Sequence, residues 1–171
     1  MIAFGQFDND FLDEIVFKVA PVFGSSVKII EGMIDVSDFY DAARRQYNGN
    51  SLLKYMEDNY NDPDFKTLGL FRVDIFIPIL TYIFGQAFLN GHIGIASLYR
   101  LKNERYGMPA NEILLRERFI KEIIHELGHT FGLIHCHMPN CVMRSSTYVE
   151  DIDQKFHVLC NDCMLKLNEG K

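Results

Sequence analysis

The chain has no cysteine before Cys136; its four cysteines, Cys136, Cys141, Cys160 and Cys163, all fall in the last quarter of its 171 residues. Basic residues are outnumbered, 17 Lys and Arg against 23 Asp and Glu, for a formal net charge of −6. With no basic stripe, a nucleic-acid partner is not expected. No apolar run approaches the roughly 18 residues that a membrane-spanning helix needs. The most apolar stretch, residues 73–80, is interrupted by Asp74 and Pro78, so no membrane partner is expected either. Residues 1–7 read as a strand and carry no basic n-region, which gives no sign of a secretory signal and points to the cytoplasm. There is no internal repeat and no low-complexity segment. Residues 58–65, rich in Asn and Asp, read as a loop, so residues 1–171 form one domain, expected to bury about 70% of its unfolded surface.

What is present is concentrated at His125-Glu126-Leu127-Gly128-His129-Thr130-Phe131-Gly132-Leu133-Ile134-His135, which has the form H-E-x-x-H-x-x-G-x-x-H. In an α-helix, residues at i and i+4 lie one above the other with Cβ atoms about 6 Å apart. His125 and His129 can therefore both reach one Zn²⁺ at about 2.0–2.1 Å. His135 is six residues beyond His129, well over a turn at about 3.6 residues per turn. It reaches the same ion only if the chain reverses, and Gly132 supplies that reversal because glycine enters the left-handed region without a Cβ clash. Three protein ligands leave a fourth position for water, the catalytic arrangement, and Glu126 can accept that water's proton. A chance match to five such positions, at roughly 1 in 20 each, is on the order of 10⁻⁴.

The cysteines follow at once, as C-x4-C, eighteen residues, then C-x2-C. This spacing reads as a closed Cys₄ zinc site. Two disulfides, or a redox pair at Cys160-Asn161-Asp162-Cys163, are the alternatives; a reducing cytosol favours thiolate–metal binding. His137 or His157 could replace one thiolate. Because His135 and Cys136 are adjacent, the two metals would be neighbours on opposite sides of one extended segment, and the second would brace the first.

Residues 125–163 resemble the archaemetzincins, a branch of the metzincin zinc metallopeptidases, whose pattern is H-E-x-x-H-x-x-G-x-x-H-C-x4-C-x-M followed further on by C-x-x-C. Cys141-Val142-Met143 supplies C-x-M, and the sixteen residues between Met143 and Cys160 are one short of the family's usual spacing. Residues 82–87 and 95–101 are more loosely similar to the family's sheet segments. The resemblance implies a catalytic zinc on His125, His129 and His135 with Glu126 as general base, and a structural zinc on Cys136, Cys141, Cys160 and Cys163. It further implies a Met-turn at Met143, an apolar floor beneath the histidines. An extended peptide would lie along an edge strand within residues 85–98, placed at Gly94, Ile95, Ala96 and Ser97.

The hydrophobic patterning predicts strands at residues 1–7, 26–30, 67–77 and 93–98, and helices at 8–22 and 51–57. A zinc-bearing helix runs from near Pro109 to Phe131, and a last helix covers 151–167 with Cys160 and Cys163 one turn apart. The expected fold is a metzincin-like α/β (α+β) structure: a mixed twisted sheet with an active-site helix, a Met-turn and a C-terminal helix. Residues 1–132 form the N-terminal subdomain and 133–171 the small C-terminal one. His92 reads as a loop histidine, and Tyr148 as a surface tyrosine rather than an oxyanion donor. No cysteine stands upstream to act as a latency switch.

The function these readings support is a monomeric, cytoplasmic zinc peptidase holding two Zn²⁺ and acting on short peptides, with aminopeptidase activity preferred over endopeptidase. The alternative is a zinc-stabilised module that binds peptides or proteins without turnover. Glu126 argues against it, since a purely structural site needs no base.

Overall fold

The computed structural model describes residues 1–169. In chain order the strands and α-helices are β1 (Ile2–Phe4), α1 (Asn9–Phe23), β2 (Ile30–Gly32), β3 (Tyr40–Asp41), β4 (Gln46–Asn48), α2 (Gly49–Tyr60), β5 (Thr67–Phe71), β6 (Ile75–Phe76), β7 (Gly85–Ala87), β8 (Ile93–Ser97), α3 (Glu112–Thr130), α4 (Val149–Asp153) and α5 (Asn161–Glu169). A five-stranded sheet has the order β2-β1-β5-β8-β7; its strands pair in parallel except β7, which runs antiparallel to β8 at one edge. A small second sheet has the order β3-β4-β6. This is the expected mixed α/β fold.

Alternation along the strands builds two cores. Ala3, Leu68, Leu70 and Ala96 face α1 and α3, whose Phe11, Ile15, Val19, Phe119, Ile120, Ile123 and Ile124 close the first core. Ile2, Phe4, Phe71, Ile93 and Ile95 point the other way, onto Leu52, Leu53 and Met56 of α2. A sheet covered on both faces wants apolar residues in both registers, which is why β5 and β8 are buried at every position.

Several boundaries differ from the sequence reading, each for a local reason. The expected strand 67–77 is two strands in two sheets: between them Asp74 turns inward to a bidentate pair with Arg100, and Ser97 Oγ donates to Val73 O at 2.6 Å. α3 begins at Glu112 rather than near Pro109 because Asn111 caps it, its side chain accepting from Leu114 N at 3.0 Å. The expected last helix is broken into α4 and α5. Residues 154–160 instead run beside the segment after Met138, with Phe156 N–H donating to Asn140 O and Val142 N–H to Val158 O, both at 3.0 Å. Arg118 of α3 fastens this region to the sheet body: it donates to both oxygens of Asp153 (2.7 and 2.6 Å) and to Leu101 O (2.8 Å).

Candidate active site and metal centres

α3 enters the core with Ile120, Ile123, Ile124 and Leu127 and carries His125 and His129 one turn apart on its cavity side. It ends in the turn that the glycine predicts. Gly132 has φ +84°; its N–H donates to His129 O at 2.9 Å and Leu133 N–H to Gly128 O at 3.0 Å, the paired bonds of a Schellman cap. The reversal brings His135 back, its ring centroid 5.3 Å from that of His125 and 5.0 Å from that of His129. The β7–β8 turn braces the same end, Asn90 N–H donating to His129 O at 2.9 Å.

Hydrogen bonds fix the state of two rings. His125 Nδ1 lies 2.9 Å from Val142 O, and His129 Nδ1 lies 2.7 Å from Leu133 O. A carbonyl only accepts, so each Nδ1 carries the proton and each Nε2 presents a bare lone pair. Those two Nε2 atoms are 3.1 Å apart. Two lone pairs at that distance, with no proton to share, call for a cation; two nitrogens on a tetrahedral zinc would stand about 3.3 Å apart. One nitrogen from each of His125, His129 and His135 falls within 4.8 Å of the others. Burial lowers the pKa of all three rings, which favours the neutral, ligating form. The side chains fit a zinc ion.

Glu126 is buried beside them, and its Oε2 has no hydrogen-bond partner among the described residues. Burial, and after it the neighbouring Glu122, holds its carboxyl well above the usual carboxylate range. Burial also raises Glu122, against the pull of Lys155. A cavity of about 490 Å³ opens over His125, His129, His135, Glu122 and Glu126.

Behind the helix, Met143 is fully buried against Gly128: a Cβ on Gly128 would stand 2.4 Å from Met143 Sδ. The chain turns there, Arg144 N–H donating to Cys141 O at 3.0 Å, and Met143 O accepts from Cys136 N–H at 2.9 Å. The four cysteines are unpaired as disulfides and form one cluster, with all Sγ atoms within 4.8 Å of one another. Cys136–Cys160 and Cys141–Cys163 are 3.7 and 3.8 Å apart; sulfurs on a tetrahedral zinc would be about 3.8 Å apart at a Zn–S bond near 2.3 Å. Backbone N–H groups of Met138 and Cys160 donate to Cys136 Sγ and Cys141 Sγ. Burial raises the thiol pKa of Cys141 and Cys163, a cost that coordination reverses by taking the proton off. The cluster contains neither His137 nor His157.

The expected substrate strand needs correction. Gly94, Ile95, Ala96 and Ser97 lie in β8, which pairs with β5 on one side and β7 on the other. Its backbone is therefore committed, and it is no edge. β7 is the edge strand, and it lines the cavity. Its register, flanked by Ser97 N–H to Phe84 O and Phe88 N–H to Ile93 O, directs the N–H and C=O of Gly85 and Ala87 away from β8. Tyr148 is 64% exposed and stands at the cavity rim; His92 sits in a loop near Phe65 O.

Three participants escaped the sequence reading. Glu122 had a signal, a carboxylate one turn before Glu126 in an otherwise apolar stripe. Lys155 had none, since a lysine is the last residue expected to be 2% exposed. Gly85 had none either: a Cβ there would stand 2.6 Å from Glu126 Cγ and 2.7 Å from Ile95 O.

Known proteins resemble the chain over most of its length. Residues 6–169 match the model of Peptidase family M54. The chain is 40% identical to an archaemetzincin of Pyrococcus horikoshii over 86% of its length and 80% of that protein. It is 37% identical to one of Methanocaldococcus jannaschii over 94% and 89%. Among solved structures it is similar to an archaemetzincin of Methanopyrus kandleri (TM-score 0.85, 31% identity, 99% and 92% of the two chains). It is also similar to a zinc-dependent peptidase of Methanocorpusculum labreanum (TM-score 0.81, 26% identity, 98% of both chains).

Proposed function

The chain belongs to peptidase family M54, the archaemetzincins, and is a zinc-dependent metallopeptidase; from that premise we propose that it cleaves short peptides with Glu126 as general base. In this reading His125, His129 and His135 hold the catalytic zinc, and Cys136, Cys141, Cys160 and Cys163 hold a structural one. What supports it most is the pair of Nε2 atoms 3.1 Å apart, their Nδ1 protons committed elsewhere, beside the unpartnered Glu126 Oε2.

Bound to the histidines, zinc supplies Lewis acidity, bringing the pKa of water toward about 7 and polarising the scissile carbonyl. Glu126 does the proton work, taking a proton at the oxygen that no protein group engages and giving it to the leaving amine. The substrate backbone pairs in extended form with the outward N–H and C=O groups of Gly85 and Ala87, a strand added to the free edge. Residues 133–171 act as a small C-terminal subdomain that carries the Met-turn and the structural zinc. We place the protein as a monomer in the reducing cytoplasm, where four thiolates hold metal rather than pair as disulfides. Among short peptides we favour removal of N-terminal residues. Equal cleavage of free and N-acetylated peptides would remove that preference.

The test is metal content and peptide turnover on one sample, with Glu126→Gln beside the parent. Two zinc ions per chain are expected in both proteins, with turnover lowered about 10²–10⁴-fold in the variant, the usual contribution of a general base. Unchanged turnover in Glu126→Gln would remove Glu126 from that role.

A further inference from the structure

Lys155 is 2% exposed and lies in the segment between α4 and α5. Its Nζ donates to Val142 O at 3.2 Å and to Arg144 O at 2.6 Å, the carbonyls on either side of Met143. Val142 O is also the acceptor for His125 Nδ1, at 2.9 Å. One carbonyl therefore takes a bond from a buried cation and from an imidazole that faces the metal site. Burying an ammonium is costly unless charge compensates it. Burial lowers the Lys155 pKa, and Glu122 and Glu126, on the helix that carries His125, oppose that lowering.

We propose that Lys155 is a positioning residue for the histidine metal site. Its two bonds fix the Met-turn carbonyls in place, and the Val142 carbonyl so held keeps the His125 ring Nδ1-protonated, with Nε2 toward the ion. Groups that orient a ligand in this way are worth about 10–100-fold in metal affinity. A lysine that merely filled the core would support both metal clusters alike, since Cys141 and Met143 belong to the same turn. The proposal rests on the reading of the three histidines as zinc ligands.

The full chain is titrated with Zn²⁺ against a chromophoric chelator, and separately with Co²⁺, in which only the cysteine cluster gives thiolate-to-cobalt absorption. The parent is compared with Lys155→Met, which keeps the length of the side chain and removes its donors. The expected result is a loss of about 10–100-fold in affinity at the histidine site with the cysteine site unchanged. Unchanged affinity at the histidine site, or an equal loss at both sites, overturns the proposal. If Lys155→Met does not fold, Glu122→Gln/Lys155→Met is read by the same criteria, because it also removes a buried acid the lysine compensates. Failure of both to fold with zinc present assigns the lysine to the core alone and overturns the proposal too. A parent that binds no metal at its histidines overturns the zinc reading instead, which keeps the two failures distinct.

Discussion

A histidine binds metal only through a nitrogen that carries no proton, and here two backbone carbonyls decide which nitrogen that is. Val142 O and Leu133 O take the Nδ1 protons of His125 and His129, so the ligating face is set before any ion arrives. The carboxyls beside them follow a different logic. Glu126 is raised first by burial and then by Glu122. If Glu126 is the general base, as proposed, it works ionised, so activity is lost as pH falls through its pKa, and the acid limb of kcat/KM reports that group in the free enzyme. Replacing Glu122 by glutamine removes one cause of the rise. The acid limb of Glu122→Gln should therefore move to lower pH than the parent's, with the alkaline side unchanged. A pH profile of kcat/KM on a single peptide checks this, and a limb that stays put or moves up would show that Glu122 does not load Glu126.

Between elements, the distance that matters is that from β7 to α3. An added Cβ on Gly85 meets Glu126 Cγ at 2.6 Å and the Ile95 carbonyl at 2.7 Å. The Ile95 contact is relieved only by a shift of the β7 or β8 backbone, and unless that shift carries β7 clear of α3 it leaves Glu126 displaced; about 1 Å of displacement at the base costs about 10² in rate. Gly85→Ala should keep both metals and lower kcat about 10²-fold, measurable by steady-state kinetics beside metal analysis; full activity would mean that β7 retreats instead. This contact also marks where sequence reading stops. His125, His129, Gly132 and His135 were legible because i, i+4 spacing and a left-handed glycine act within one turn of chain. The cysteines were legible because metal-ligand spacing is local. The edge of the sheet was not: residues 85–98 fold as two strands, and which one is free depends on β5 claiming β8 from far along the chain. The break between α4 and α5 was hidden likewise, because inward-turned Lys155 answers to carbonyls of the Met-turn rather than to its own neighbours in sequence.

In the whole molecule the histidine and cysteine clusters share one short run of chain. His135 and Cys136 are consecutive, and Met143 O accepts from Cys136 N–H at 2.9 Å, so Met143, packed on Gly128 of the helix that carries His125 and His129, is tied to the cysteine cluster. The strands of the sheet body pack through α1, α2 and α3, and the core on the α1–α3 side also takes in Cys141, Val142, Met143, Val149, Ile152, Leu159 and Cys163 of the C-terminal region; Arg118–Asp153, Lys121 Nζ to Ile152 O and His125 Nδ1 to Val142 O cross the same boundary. If the four thiols hold zinc as proposed, its binding supplies folding free energy first to the C-terminal region, and stability divides there despite the shared core; apparent values for structural zinc run about 10–16 kcal/mol. Cys160→Ser should then loosen residues 133–169 as a unit while β1, β5 and β8 keep their protection in hydrogen exchange. The histidine site should weaken with it, because His135 and the Val142 carbonyl lose their support. Removing only the histidine-site metal with a mild chelator should leave both parts protected. If Cys160→Ser keeps full protection after Met138, the four thiols do not carry a structural metal; if the sheet unfolds as well, the molecule is a single cooperative unit and the division fails.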